Sequence, residues 1–323
     1  MKGRYITAFL LLLVLGIAAI VVFDYKSNKS DLSSYMTTNP LEKDVETYET
    51  VADSLISHVE TKQIRLDASM PKAIDYRDGK IYVLADDYLQ IIQTNGSEVK
   101  KITLGDETTC LTVLKDKRVL VGFKDHLILL DKDLIEMKHS LIAEKALFTA
   151  VATNGDLIFV ADAGLRRVVV YNKELVQINA FKGESGVSDQ YGFIVPSAHF
   201  DLAVNDESEL WVVNPGMHAL QNYSAQGKLI GFWSKPSFKT DGFSGCCNPF
   251  YIAFLPDGCF VTSEKGLVRI KIHEPSGLLR SVVASPQSFK GEKKAPDVAV
   301  DEKGGILALD FEKKMIRFFE PKK

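Results

Sequence analysis

From about residue 60 onward the chain alternates. Short apolar runs rich in Val, Ile, Leu and Phe are cut by turns built from Asp, Asn, Gly, Pro and Lys. Within the runs, apolar and polar positions follow a period of two, not 3.6, which predicts β-strands throughout. The turns carry residues that tolerate positive φ, such as the NGD of 154–156 and the PDG of 256–258, and these favour tight hairpins.

The strands recur in a larger pattern. Residues 148–172, 199–224, 250–274 and 295–321 align with one another, and looser copies occupy 70–96 and 110–133. Each copy reads as a strand, a turn, a second strand, a polar turn and a third strand. One position in the second strand falls at Ile81, Val119, Ile158, Leu210, Cys259 and Ile306, so the units are spaced by 38 to 52 residues. About four strands in a unit of this length is the sequence signature of a β-propeller. Six units predict six blades. The sixth runs out before its outermost strand. The alternating stretch 61–69, TKQIRLDAS, is expected to supply that strand and close the ring.

That topology sorts the loops. With strands a to d running from the axis outward, b–c turns and d–a connections share one face. On it fall the b–c turns at 162–167, 214–218, 263–266 and 310–314, and the two long connections 181–198 and 232–249. Long loops gathered on one face of a rigid scaffold usually carry binding. Aligning the a strands puts Ala73, Cys110, Thr149, Asp201, Tyr251 and Asp297 at one equivalent position, aimed at the central channel or its rim. A slip of one residue would turn all six away.

The amino-terminal segment follows different rules. Ile6–Phe23 holds 18 residues without a charge. As a helix it would span about 27 Å, close to the roughly 30 Å of a hydrocarbon core. Residues 1–23 are therefore read as a single transmembrane anchor, 24–45 as a polar linker, and 46–323 as the propeller. Lys2 and Arg4 precede the run, a signal-like order that favours an exported propeller, periplasmic in a Gram-negative cell.

The remaining composition narrows the partners. A net charge of -3 with no long single-sign run gives nucleic acid no footprint. Four cysteines do not make a disulfide scaffold. There is no phosphate loop, nucleophile elbow or C-x-x-C.

The chemistry-bearing residues collect on the b–c face. Cys246 and Cys247 sit side by side in SGCCNP, 244–249. They read as a strained, labile disulfide, as two ligands for a soft metal, or as two structural thiols, one of which could bridge to Cys110 or Cys259. His199, Asp201 and Asp297 are the candidate metal set. Asp201 and Asp297 could alternatively pair for acid–base work, or bond nearby backbone and hold the blade. Asp162, Asn214 and Asp310 recur after strand b, which argues for a blade-building role. Arg166, Arg167, Lys265, Arg269, Lys313 and Lys314 place positive charge near the b–c turns, read mainly as solvated strand ends that could steer an anionic partner.

The stretches DLIFVADAGLRRVVVYN, DLAVN and PDVAVDEKGGILALD resemble NHL-type repeats. The resemblance covers most of 66–321 and implies a six-bladed propeller. For anchored bacterial chains of this kind it also implies a role in the cell envelope. The expected function is thus a membrane-anchored, extracytoplasmic propeller that binds a partner protein or ligand. The expected face carries Cys246, Cys247, Asn248, Asp201, His199, His218, Asn214, Tyr251, Asp297, Arg166 and Lys265. The alternatives are a redox accessory of a membrane electron-transfer complex and a metal-dependent propeller hydrolase or lyase. No cofactor is predicted. The expected partners are the membrane through 6–23 and a protein of the envelope.

Overall fold

The strands pair as six four-stranded antiparallel sheets. The computed structural model describes Tyr48 and residues 50–105, 107–183 and 192–322. The anchor at 1–23 and the linker at 24–45 lie outside the described residues, as does 184–191 of the long connection. Among the described residues no helix is long and apolar enough to cross a membrane.

The first strand, β1 (His58–Arg65), belongs to the last blade. Blade 1 contains β2 (Pro71–Arg77), β3 (Lys80–Ala85), β4 (Tyr88–Gln93) and β5 (Glu98–Thr103). Blade 2 contains β6 (Thr108–Val113), β7 (Val119–Phe123), β8 (Leu127–Leu130) and β9 (Glu136–His139). Blade 3 contains β10 (Phe148–Thr153), β11 (Leu157–Asp162), β12 (Arg167–Asn172) and β13 (Gln177–Phe181). Blade 4 contains β14 (Leu202–Val204), β15 (Leu210–Asn214), β16 (Ala219–Tyr223) and β17 (Leu229–Ser234). Blade 5 contains β18 (Tyr251–Phe254), β19 (Phe260–Glu264), β20 (Arg269–His273) and β21 (Leu279–Ala284). Blade 6 contains β22 (Asp297–Val300), β23 (Ile306–Asp310) and β24 (Met315–Pro321), with β1 outermost. The inner strands touch in a closed cycle, β2 to β6, β10, β14, β18, β22 and back to β2. The molecule is a six-bladed propeller.

Burial explains the patterning. Strands b and c are covered on both faces by neighbouring blades, so β7 and β8 are buried at every position and read as continuous apolar runs. An outer strand such as β17 is covered on one face only, whereas β21 is buried from Ser281 to Ala284. In β17 the positions alternate between half-buried and exposed. The a–b hairpin of blade 1 turns through Asp78 and Gly79 at φ 49° and 74°, a pair of positive values that matches the strand twist.

Ring closure uses the strand expected to provide it, shifted. β1 pairs with β24 from His58↔Pro321 to Arg65↔Met315. It starts before residue 61 and stops before 69. Beyond Arg65 the chain leaves for blade 1, where the Asp86 carboxylate accepts from Ser69 N (2.9 Å) and Met70 N (2.7 Å). Across the closing pair, Glu60 accepts from Arg317 Nε (3.0 Å) and Nη2 (2.7 Å), a two-pronged ion pair.

Each blade seam holds an apolar cluster. Five are large. The seam between blades 4 and 5 has only Val213, Leu220, Ile252 and Phe260 fully buried, with Trp211 and Trp233 packed against them. Charged groups fill the rest. Glu264, Arg269 and Lys271 are all fully buried. Glu264 Oε1 accepts from Arg269 Nε (2.8 Å) and Lys271 Nζ (2.7 Å), and its Oε2 accepts from Arg269 Nη2 (3.0 Å). The sequence reading of Arg269 as a solvated strand end is therefore corrected. β20 is buried at every position, so a charge there needs an internal partner. Arg167 is likewise paired with the buried Asp162 (2.8 Å).

Candidate functional site: the channel rim and the b–c face

The aligned inner-strand position behaves as the alternation predicts. Ala73, Cys110, Thr149, Asp201, Tyr251 and Asp297 all line a central channel of about 890 Å³. The carboxylates at the aligned position are committed to the fold. Asp201 Oδ1 accepts from Leu202 N (2.9 Å) in its own blade, and Oδ2 accepts from Ile252 N (2.8 Å) in the next. Asp297 repeats this with Val298 N (2.8 Å) and Ile74 N (3.0 Å). Thr149 Oγ1 donates to Phe200 O (2.7 Å) across the seam of blades 3 and 4. Asp75 makes the same staple one pleat deeper, accepting from Val113 N (2.7 Å). Sequence alignment missed it, because it sits two residues beyond the aligned Ala73.

Burial drives the rim groups toward their neutral forms. It raises Asp201 well above the usual carboxylate range, with the Asp297 charge adding to the effect. It pushes Asp297 up to about 7, although two backbone N–H groups oppose the shift. Cys110 is pushed to about 12 by burial, with Asp201 and Asp297 contributing. His199 falls to about 3, again mainly through burial. At neutral pH the rim therefore holds an uncharged imidazole, a thiol and a phenol. Among the described residues no three His, Cys, Asp or Glu side chains form a group that could hold a metal ion.

This chemistry gives a prediction. A carboxyl raised in the folded state favours folding below the unfolded value near 4, and that contribution disappears as pH climbs through the folded value. For Asp297 the window is about pH 4 to 7. Its share of the loss is at most about 1.4 kcal/mol per pH unit. Asp297→Asn keeps an oxygen for Ile74 N and removes the titration. Urea midpoints measured across that window should fall less steeply in the variant than in the parent; equal slopes would refute the assignment.

The b–c face lies above this rim. His199 stacks on Phe250 with ring centroids 4.2 Å apart and meets Tyr251 edge-on at 4.7 Å. Lys265 Nζ lies 4.9 Å from the Phe250 centroid. His199 Nε2 is buried without a hydrogen-bond partner. Phe250 was not singled out from sequence; the signal available was its place beside Tyr251 at the entry to an inner strand.

The connection carrying the cysteines is fastened from several sides. Asn248 is buried. Its Nδ2 donates to Ser244 O (2.7 Å) and Lys265 O (3.0 Å), and its Oδ1 accepts from Lys265 N (2.9 Å). His218 Nδ1 lies 3.0 Å from Asn248 O. Beneath, Arg269 Nη2 (3.0 Å) and Lys271 Nζ (2.5 Å) both donate to Gly242 O. Asn214 is fully buried; it accepts from Ile194 N (2.9 Å) and donates to Gln221 Oε1 (3.1 Å), which fixes the other long connection. Arg166 is exposed at its b–c turn, at φ 51°. All four cysteines are free; Cys110 belongs to the channel wall and Cys259 to the seam of blades 5 and 6, so neither bridges to the twin pair.

No family model and no curated protein sequence matches the chain. Solved structures do resemble it. A streptogramin B lyase superposes with a TM-score of 0.57 at 12% identity, over 84% of this chain and all of that one. A catalytically inactive virginiamycin B lyase from Staphylococcus aureus, with quinupristin, gives 0.58 at 14%, over 81% and 99%. The Cps50 (Swd1) β-propeller domain of Myceliophteria thermophila gives 0.55 at 12%, over 82% and 100%. At these identities the likeness is one of fold. The two lyases and the Cps50 (Swd1) propeller domain fit about equally well, so function has to be argued from this chain's own residues.

Proposed function

We propose that the protein is a membrane-anchored, extracytoplasmic β-propeller that binds a partner protein or ligand through its b–c face. The observation that carries this reading is the contrast between channel and face. The buried channel carboxylates Asp75, Asp201 and Asp297 are spent on backbone N–H groups, which takes these three away from acid–base chemistry. The face instead offers exposed Cys246 near the Lys265–Phe250–His199 stack, on a connection pinned by Asn248 and by the buried charges below, and exposed Arg166 on the b–c turn of blade 3. Rigid presentation of exposed groups lowers the ordering cost of binding. Anchoring rests on the uncharged run 6–23 behind Lys2 and Arg4.

The test uses the full chain in its native membranes. A photoactivatable maleimide is attached at Cys246, or at Glu302→Cys on the opposite mouth in a Cys246→Ser background. A discrete cross-linked adduct is expected from Cys246 and not from position 302. Lys265→Glu and Phe250→Ala should each weaken it several-fold. Equal adducts from both mouths, or none from Cys246, would overturn the reading.

A further inference from the structure

The twin cysteines combine proximity with unequal exposure. Their Sγ atoms lie 2.9 Å apart. Cys246 is exposed, whereas Cys247 is buried with 1% of its surface accessible. Asn248 and His218 fix the backbone on the carboxyl side, so the two sulfurs stay together. Neighbouring Cα atoms are about 3.8 Å apart, less than the roughly 4.4–6.8 Å that an ordinary disulfide spans. An S–S bond here would close a strained eight-membered ring, and strained disulfides are the readily reduced ones.

We propose that Cys246 and Cys247 form a dithiol–disulfide couple that exchanges with small-molecule disulfides, Cys246 attacking and Cys247 resolving. The Cys246 thiolate attacks one sulfur of R–S–S–R and expels R–S⁻. The Cys247 thiolate then attacks Cys246 Sγ and expels the second R–S⁻. One S–S bond breaks in the compound and one forms in the protein. Two electrons pass to the compound, and the two cysteine protons are taken by the departing thiolates. A hydrogen bond to Cys247 holds the Cys246 thiol above the usual range, while the Lys265 charge pulls it down, so exchange should accelerate as pH rises past neutral. Cys110 and Cys259 are buried thiols raised to about 12 and about 11, which makes them internal controls.

This couple stands or falls apart from the binding reading, since exchange needs no protein partner. Detergent-solubilised full chain is incubated with oxidised glutathione, quenched in acid and alkylated with N-ethylmaleimide. The peptide holding 246 and 247 should be two hydrogens lighter and carry neither glutathione nor maleimide. Reduced glutathione should reopen it. Cys247→Ser should retain one glutathione on Cys246. A stable glutathione adduct on the unaltered chain, two maleimide-reactive thiols after the incubation, or a bond between two chains would each overturn the proposal. Should Cys247→Ser not fold, the mass of the unaltered peptide decides alone.

Discussion

Arg317→Ala should destabilise the propeller by about 3 kcal/mol, lowering its thermal midpoint by roughly 10 °C. Arg317 is almost fully buried on β24 and faces Glu60 (2.7 Å), Asp310 (3.5 Å) and Glu292 (3.9 Å). Its guanidinium also lies over Phe289, 4.5 Å from the ring centroid. Alanine leaves Asp310 and Glu292 buried beside one another with one cation fewer. The figure sits at the low end because a quarter of the Glu60 side chain is exposed and water screens that arm. Burial pushes Glu60 upward, but the Arg317 bonds outweigh it and hold the carboxyl below its ordinary value. A lowered carboxyl contributes stability above its unfolded value and loses it on acidification. Below about pH 4 the difference between Arg317→Ala and the parent should therefore narrow. Arg317→Lys keeps the charge but loses the fork and should fall in between. Circular dichroism melts of the three chains decide; an unchanged midpoint for the alanine variant would show that the ion pair does not hold the ring.

Glu264→Gln should cost about 3–5 kcal/mol, whereas Lys271→Met should cost less than about 1.5 kcal/mol. The asymmetry follows from who is left alone. Removing the one carboxylate strands two buried cations against each other. Removing Lys271 leaves the forked Arg269–Glu264 pair intact, and Gly242 O keeps Arg269 as its donor. Burial already depresses Lys271 to about 8 even though Glu264 opposes it, so its charge is carried at a cost near neutral pH. Because the cluster holds Gly242, the glutamine variant should also speed maleimide labelling of Cys247. Denaturant midpoints and labelling rates measured together test both halves; equal losses from the two substitutions would contradict the account.

Most of the architecture was readable because its causes are local. Alternation, turn residues and the recurring second-strand position are visible within single units, and the six aligned inner-strand residues do line the channel. The roles of particular charges were less readable. Asp201 and Asp297 look like a catalytic pair until the amides of the next blade are seen to occupy them. The RIKIH of β20 looks like alternating surface charge, yet both faces of that strand are covered. The usable signal was position: a cation in a c strand has no exit to water, and Glu264 ends the strand beside it. Asp75 was hidden by a two-residue offset, and Phe250 by its place at the first position of its unit, one residue before the aligned Tyr251.

Strand order also constrains how the chain is made. His58 finds its partner in Pro321, more than 250 residues later, so a ribosome must make five blades and most of the sixth before β1 has a ladder to join. Throughout synthesis that strand is an unpaired edge travelling ahead of its own completion. Its two faces both carry charge, Arg65 among the exposed positions and Glu60 and Lys62 among the half-buried ones, and these would keep a waiting edge from pairing with the wrong nascent neighbour.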